Sequence, residues 1–386
     1  MWFFRTRTIS SIAVIDIQSA SVGVAYVYFS NDGVRSMCYS LRVPLEHRAG
    51  ESEEAALERA LHAALAQLVT EGSPILHQHT GSGRVERVIV SVSAPWQETV
   101  VQSYTETYPR PRTISKVMLE ISTRDARALK EGSELIDEVI LSVSLNGYEI
   151  PVPFGKQASR VEFTVLTSYM SKTLHATIHE QVRKTFHMHE TSLISFAPVV
   201  FVALRDMYPF EKDFIVLSVS DTATDVAQSR ANVLVATGTI PHGVCNFLEA
   251  GRVAERSAIQ SIEDEGPETL TDLRNPLRNA VFATQPRTLE QEWIEEVKTL
   301  LEGFSRTIFL PKTVFLIAES GARDYIARTL LHSSARELWI TSTGPTIIPL
   351  TPGALEKHIH FEQTKPDISL AMISLYDEKR FSAFGE

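Results

Sequence analysis

Two apolar runs of strand length, each followed by a cluster of small polar residues, organise the hydrophobic pattern of the chain. The first run covers residues 12–17 and the second covers residues 214–219. Alternating apolar segments follow both runs, at 22–29 and 34–43 and again at 225–240, which predicts a hairpin after each polar turn. The repeated order of strand, polar turn and hairpin predicts a duplicated, two-lobed architecture.

A helix and a further strand complete the first repeat. Ser52 is predicted to begin the helix, with two glutamates in the first turn, where they favour the macrodipole. Residues 72–83 are predicted to be a flexible loop and residues 88–92 a buried strand. This order of elements predicts a mixed α/β sheet. The apolar face of the helix is formed by leucines three and four residues apart: Leu57, Leu61, Leu65 and Leu68.

Residues 97–190 interrupt this order and predict a small inserted α+β subdomain. Asn-Gly pairs are strong hairpin signals, because both residues accept the positive φ of a tight turn. The elements predicted there are a helix at 117–129, a strand at 136–145, a hairpin at Asn146–Gly147, a strand at 161–166 and a helix that Ser168 begins.

The second lobe is predicted over residues 191–386, with a helical insertion around residues 251–308. Its apolar spacing predicts a long helix over residues 289–304. Other elements predicted there are a helix at 199–207, a strand at 314–317, a helix at 325–331 and a last strand at 368–375.

Composition narrows the classes of function. The 386 residues are 44% hydrophobic and 22% charged, with a formal net charge of −10. An acidic chain lacks the basic surface of a nucleic-acid-binding protein, so no nucleic-acid partner is predicted. Two cysteines, Cys38 and Cys245, are too few for a disulfide framework, which favours a reducing cytoplasm.

The polar turns carry a resemblance to a known family. The first reads Asp-Ile-Gln-Ser at residues 16–19, the second Ser-Val-Ser-Asp-Thr-Ala-Thr-Asp at residues 218–225, and a third Ile-Ala-Glu-Ser-Gly at residues 317–321. In this order they resemble the two phosphate motifs and the adenosine motif of the actin-like ATPases. The resemblance is to the bacterial branch that contains the cell-division protein FtsA and the pilus-assembly protein PilM.

The resemblance implies ATP and Mg²⁺ as cofactors, with Asp16 as the carboxylate that holds the metal. The residues that it places around the nucleotide are Asp16, Gln18, Ser19, Ser21, Ser218, Ser220, Asp221, Thr222, Thr224, Gly243, Ser320 and Gly321.

Several of these positions depart from the family pattern. Gln18 replaces a glycine that gives the backbone room to approach phosphate. Ser218 replaces the second metal carboxylate, and Asp221 places a negative charge where phosphate is bound. Bulk and charge fill the adenosine turn at Glu319. These changes favour a degenerate or absent ATPase activity, while an active ATPase or sugar kinase of this fold remains the alternative.

The resemblance implies a structural and interaction protein. The leading interpretation is an FtsA-like cell-division scaffold, and the alternative is a PilM-like protein of type IV pilus assembly. Either implies protein partners in a division or pilus complex, contacts between protomers through the inserted subdomain, and a location at the inner face of the cell membrane. No amphipathic helix is expected after the predicted strand at 368–375, which favours the PilM-like alternative.

The first residues suggest a peripheral membrane contact. Trp2, Phe3 and Phe4 lie next to Arg5 and Arg7, and aromatic rings beside cations suit a membrane interface. The opposing interpretation is that these aromatic residues pack against the first lobe as a first strand.

Overall fold

A computed structural model describes residues 10–30, 33–126, 132–150, 152–188, 191–244, 287–306, 309–339, 344–362 and 364–376. The chain has two compact units. The first consists of Met1–Asp213, Ala227–Thr237 and Leu350–Glu386, and the second of Phe214–Val226 and Gly238–Pro349. The three predicted domain ranges, 1–96, 97–190 and 191–386, stay predictions.

The strands, in chain order, are β1 (Ser11–Ile17), β2 (Ser21–Phe29), β3 (Arg35–Pro44), β4 (Arg87–Val92), β5 (Gln97–Thr113), β6 (Ser133–Leu145), β7 (Tyr148–Glu149), β8 (Gln157–Ser171), β9 (Ser192–Ser195), β10 (Phe214–Val219), β11 (Thr224–Arg230), β12 (Val233–Ile240), β13 (Thr313–Ala318), β14 (Thr346–Pro349) and β15 (Ile359–Phe361). The α-helices are α1 (Glu53–Gln67), α2 (Ser73–Thr80), α3 (Lys116–Ala126), α4 (Lys172–Phe186), α5 (Phe196–Met207), α6 (Arg287–Ser305), α7 (Ser320–His332), α8 (Pro352–Leu355) and α9 (Ile368–Leu375).

The first unit contains a six-stranded mixed sheet in the order β15-β3-β2-β1-β4-β9. Strands β1 to β3 are antiparallel, and β4 and β9 continue the sheet in parallel with β1. The leucines of α1 and the apolar stripe of α4 cover one face, while α5 and α9 pack against the other. Ser52 caps α1 by accepting a hydrogen bond from the Ala55 amide, as predicted. The predicted order of three strands, helix and strand is confirmed.

The same unit contains a four-stranded antiparallel sheet in the order β5-β8-β6-β7. Asn146 and Gly147 both have positive φ, so the hairpin predicted at this pair is confirmed. Leu119 of α3 packs with Phe163 and Val165 of β8 in a separate small core. This sheet therefore has its own apolar core within the range predicted as an inserted subdomain.

The five-stranded sheet has the order β12-β11-β10-β13-β14, with β10, β13 and β14 parallel. Trp293, Val297 and Leu301 of α6 are fully buried against β10 and β13. The long helix predicted over residues 289–304 and the strand predicted over 314–317 are thus confirmed.

Three local predictions are wrong. Residues 368–375 form helix α9 instead of a strand, and most of the predicted loop 72–83 is helix α2, which follows a short π-helical turn at Leu68–Gly72. Helix α4 begins after Ser171, which caps it, because Ser168 still belongs to β8. The terminal aromatic residues 2–4 and most of the insertion predicted around 251–308 lie outside the described residues. No helix within the described ranges is long and apolar enough to cross a membrane.

Candidate functional site

Asp16 lies near the end of β1 in a row of residues that crosses the six-stranded sheet. In the strand register Asp16 is opposite Gly23 of β2 and Ser91 of β4, and Gly23 is opposite Arg42 of β3. Registered partners share a face of the sheet. The row therefore places Arg42 and Asp16 on one face, two strands apart, with a residue that has no side chain between them.

Arg42 reaches across Gly23 and forms an ion pair with Asp16. Its Nη2 donates to Asp16 Oδ2 at 2.6 Å, and Nη1 donates to Ser21 Oγ at 3.1 Å. A Cβ at position 23 would lie 2.7 Å from Nη2, closer than side-chain atoms approach. Glycine at this position is therefore required for the Arg42–Asp16 contact.

Asp367 holds the other edge of the guanidinium. Arg42 Nε donates to Asp367 Oδ2 at 2.9 Å and Nη2 to Oδ1 at 3.2 Å. Asp367 also caps α9, because its Oδ1 accepts from the Leu370 amide at 3.0 Å. Arg42 thus bridges two carboxylates, one at the end of β1 and one at the start of α9.

Burial and mutual attraction shift the pKa values of Asp16, Arg42 and Asp367. Asp16 is fully buried, while the side chains of Arg42 and Asp367 are 27% and 20% exposed. Burial raises the pKa of Asp16 from 3.8 to about 6, although Arg42 opposes the change. Burial alone would raise the pKa of Asp367 too, but the charge of Arg42 lowers it overall. Burial disfavours the charged guanidinium, yet the two carboxylates raise the pKa of Arg42, so it stays protonated.

These residues do not fit Mg²⁺. Oδ2 of Asp16 already bonds to a guanidinium that three further hydrogen bonds hold in place. Oδ1 is buried and no described residue donates to it, but a divalent cation there would lie within a few ångströms of the Arg42 charge. At an effective dielectric constant of about 20 that repulsion amounts to several kcal/mol. Arg42 is therefore the cation that this carboxylate pair binds.

The remaining residues of the first turn bond within the first unit. Gln18 Nε2 donates to Ser369 Oγ at 2.9 Å, and the Gln18 amide donates to the Ser21 carbonyl at 3.0 Å. The carbonyl of Gln18 accepts from Trp96 Nε1 at 2.8 Å. Ser19 is buried. The side chain of Gln18, at the position of the expected glycine, thus attaches the turn to α9.

The second turn, in the second unit, is closed by its own backbone. The amide and Oγ of Ser220 both donate to the Ala223 carbonyl, at 2.9 and 2.8 Å, and the Val244 amide donates to the Ser220 carbonyl at 2.8 Å. A Cβ on Gly243 would lie 2.2 Å from the Ser220 oxygen. Glycine is required at position 243 by this close packing inside the turn.

Four other residues predicted around the nucleotide differ in exposure. Ser218 and Asp221 are half-buried and Thr222 is exposed. Thr224 is fully buried, donates from Oγ1 to the His242 carbonyl at 2.8 Å and accepts from Trp293 Nε1 at 3.0 Å. The Thr224 hydroxyl therefore stabilises the packing of α6.

The third turn joins β13 to α7. The carbonyl of Glu319 accepts from the Ala322 and Arg323 amides, both at 3.0 Å, so Glu319 precedes the helix as its N-cap. Glu319, Ser320 and Gly321 are exposed. A Cβ on Gly321 would meet nothing within 4 Å, so this glycine is not required by contacts in its own unit.

Arg42 and Asp367 are the residues that sequence reasoning missed. A lone arginine in an alternating strand reads as a surface residue, and residue 367 is more than three hundred positions away in the chain. One signal was present: Arg42 and Gly23 lie in adjacent predicted strands on either side of a short connection. A model of that hairpin would have brought the cation towards Asp16.

The chain matches no family model and no curated protein. Among solved structures, it is similar to a PilM–PilN type IV pilus biogenesis complex, with a TM-score of 0.53 and 14% identity over 97% of this chain and 94% of that one. It is also similar to a Bacteroides thetaiotaomicron protein with actin-like ATPase fold and unknown function, with a TM-score of 0.45 and 8% identity, covering 97% and 99% of the two chains. The fold assignment rests on the first similarity. The chain has the two-lobed actin-like fold, as predicted.

Proposed function

We propose that this protein is a PilM-like assembly scaffold that does not hydrolyse ATP. The observation that carries the proposal is the ion pair of Arg42 with Asp16. In an ATPase of this fold the buried carboxylate would serve a metal, whereas here a side chain of the same unit neutralises it at 2.6 Å. Ser218 and Asp221 support the same conclusion, since one removes a carboxylate and the other adds a charge that repels phosphate.

The role in a pilus complex is supported by the similarity to PilM over nearly the whole chain. Likeness of fold does not distinguish a pilus scaffold from an FtsA-like division scaffold, because one fold serves many functions. The FtsA-like role is therefore the second candidate. Both roles predict protein partners at the inner face of a membrane and neither requires hydrolysis.

Titration calorimetry with Mg-ATP tests the nucleotide part of the proposal. We expect no binding at micromolar concentrations in the wild type. The Ser218→Asp, Asp221→Gly double variant should bind better than the wild type, and better still when Arg42→Met is added, because the metal carboxylates are then restored and uncovered. Micromolar binding of Mg-ATP by the wild type would show that Arg42 does not keep a metal from Asp16, and release of phosphate from the bound ATP would refute the proposal.

The assembly role is tested by cross-linking and affinity purification from the native cell. The tagged full chain should enrich inner-membrane proteins of pilus assembly over the same tag on an unrelated cytoplasmic protein. Enrichment of division proteins instead would replace the pilus role by the FtsA-like role. Enrichment of neither set would contradict both.

A further inference from the structure

Strand β5 forms one edge of the four-stranded sheet, and its outer side pairs with no other described strand. At 17 residues it is long for an edge strand. Natural proteins usually keep such edges short or protected, because unpaired N–H and C=O groups can pair with another chain. The direction of these groups along β5 decides which residues are available.

The hydrogen bonds of β8 give that direction. Arg160 accepts a backbone bond from Asn146 at 2.8 Å, so its carbonyl faces β6. Backbone groups alternate in direction along a strand, so those of Phe163 face β5, where the registered partner is Tyr104. The groups of Tyr104 therefore point inward. The residues that turn their N–H and C=O outward are the odd-numbered ones: Val101, Ser103, Thr105 and Thr107.

Both ends of this outward stretch are defined. At one end the carbonyl of Thr99, also odd-numbered, already accepts from Thr237 Oγ1 at 3.1 Å. Beyond Thr107 come Pro109 and Pro111, which have no N–H to offer. Pro111 is at an outward position, because the Ile114 amide donates inward to the Lys156 carbonyl at 2.8 Å. The available edge is thus limited to residues 101–107.

We propose that residues 101–107 of β5 bind an extended segment of a partner protein, about seven residues long, which adds a strand to the sheet. The inference deepens the proposed scaffold function and rests on it for the existence of partners. Its physical basis is the outward backbone, which supplies donors and acceptors over a length that a short peptide matches.

The two faces of the edge define the chemistry of that segment. On one face Tyr104 stacks on Phe163 with 5.3 Å between ring centroids, which favours apolar or aromatic side chains in the partner. On the other face Ser103 and Thr105 are exposed and favour polar side chains. Arg110 is exposed beside the proline-containing end, so an acidic residue is expected at the end of the segment that lies there.

A second copy of this chain fits less well than a separate segment. In an antiparallel pairing that matches residues 101–107 of two copies with each other, Pro109 of one lies opposite Thr99 of the other. Thr237 already bonds to Thr99 there, and the proline has no donor. A strand as long as β5 cannot avoid these positions, whereas a short segment ends before them.

The test uses the full-length protein and a fluorescein-labelled synthetic peptide of sequence Glu-Val-Thr-Val-Thr-Val-Thr-Val-Glu. Fluorescence anisotropy should show binding to the wild type. The Ser103→Pro, Thr105→Pro variant, which loses two outward donors, should bind at least about tenfold more weakly, because each buried acceptor left unpaired in the peptide is costly. The matched Ser103→Ala, Thr105→Ala variant keeps both amides and should bind within about threefold of the wild type.

Amide hydrogen exchange locates the bound peptide. Addition of the peptide should slow exchange at Val101, Ser103, Thr105 and Thr107. No binding to the wild type, equal binding by the proline variant, or protection elsewhere would overturn the proposal. Protection of these amides without peptide, together with dimers in sedimentation, would also overturn it in favour of a second copy. The peptide experiment contains no nucleotide, so a failure to bind the peptide does not contradict the proposal that the scaffold does not hydrolyse ATP. Binding of Mg-ATP, in turn, does not contradict the proposal that residues 101–107 bind a partner segment.

Discussion

Replacing Asp16 by asparagine should remove a pH dependence of stability that the wild type has. Folding raises the pKa of Asp16 from 3.8 to about 6, so between these values the folded protein binds more protons than the unfolded chain. Stability from this group is then complete below pH 3.8 and is lost as the pH rises to about 6. The difference corresponds to about 3 kcal/mol, since each pKa unit is worth about 1.4 kcal/mol.

Urea unfolding at pH values from 4 to 7.5, followed by tryptophan fluorescence, measures this effect. The free energy of unfolding of Asp16→Asn minus that of the wild type should increase by about 2.4 kcal/mol across this range, because the unfolded carboxyl is already partly ionised at pH 4. Asparagine resembles the protonated acid, and other groups cancel in the difference. The opposite slope would refute the reasoning. It would mean that the attraction of Arg42 outweighs burial and holds the pKa of Asp16 below its usual value.

Three further substitutions test the packing around the two turns, each by urea unfolding at neutral pH. Arg42→Met should lower the free energy of unfolding by about 3 kcal/mol or more, because it leaves a buried carboxylate without its cation. A decrease of less than about 1 kcal/mol would contradict this account. Gly23→Ala should lower the free energy of unfolding by about 1–3 kcal/mol in the wild type, and by much less in a protein that also carries Arg42→Met. Equal losses in both backgrounds would argue against a clash between the new Cβ and the Arg42 side chain. Gly243→Ala should cost about 3 kcal/mol, since the new Cβ would meet the rigid Ser220 carbonyl, whereas the matched Gly321→Ala should be nearly neutral.

Much of the fold could be predicted from local patterns. The cap at Ser52, the Asn146–Gly147 turn and the apolar face around Trp293 are set by chemistry within a few residues, and the structure contains all three. Residues 368–375 resemble a buried strand in the sequence because six of the eight residues are apolar. Periodicity cannot separate a short buried helix from a buried strand, and the cap at Asp367 was the signal that favours a helix.

The candidate site shows where sequence reasoning stops. Asp16 could be singled out because the turn at residues 16–19 resembles a phosphate motif of the actin-like ATPases. Its partner could not, since the contact of Arg42 with Asp16 depends on strand register, and the contact with Asp367 joins residues 325 positions apart. The nucleotide-binding role of the first-turn residues therefore stays a prediction, and Arg42 contacts two of these residues, Asp16 and Ser21.

The late position of Asp367 and β15 in the chain also bears on synthesis at the ribosome. Strand β15 pairs with β3, and α9 packs against β1, so the first sheet is completed by segments more than three hundred residues downstream. Contacts of such separation form slowly, and exposed sheet edges in unfinished chains invite aggregation. Residues 214–226 and 238–349, which form the second unit, are translated before these segments. We therefore expect the nascent first unit to remain incomplete until residue 375 has left the exit tunnel, which makes it the part of the protein most dependent on chaperones.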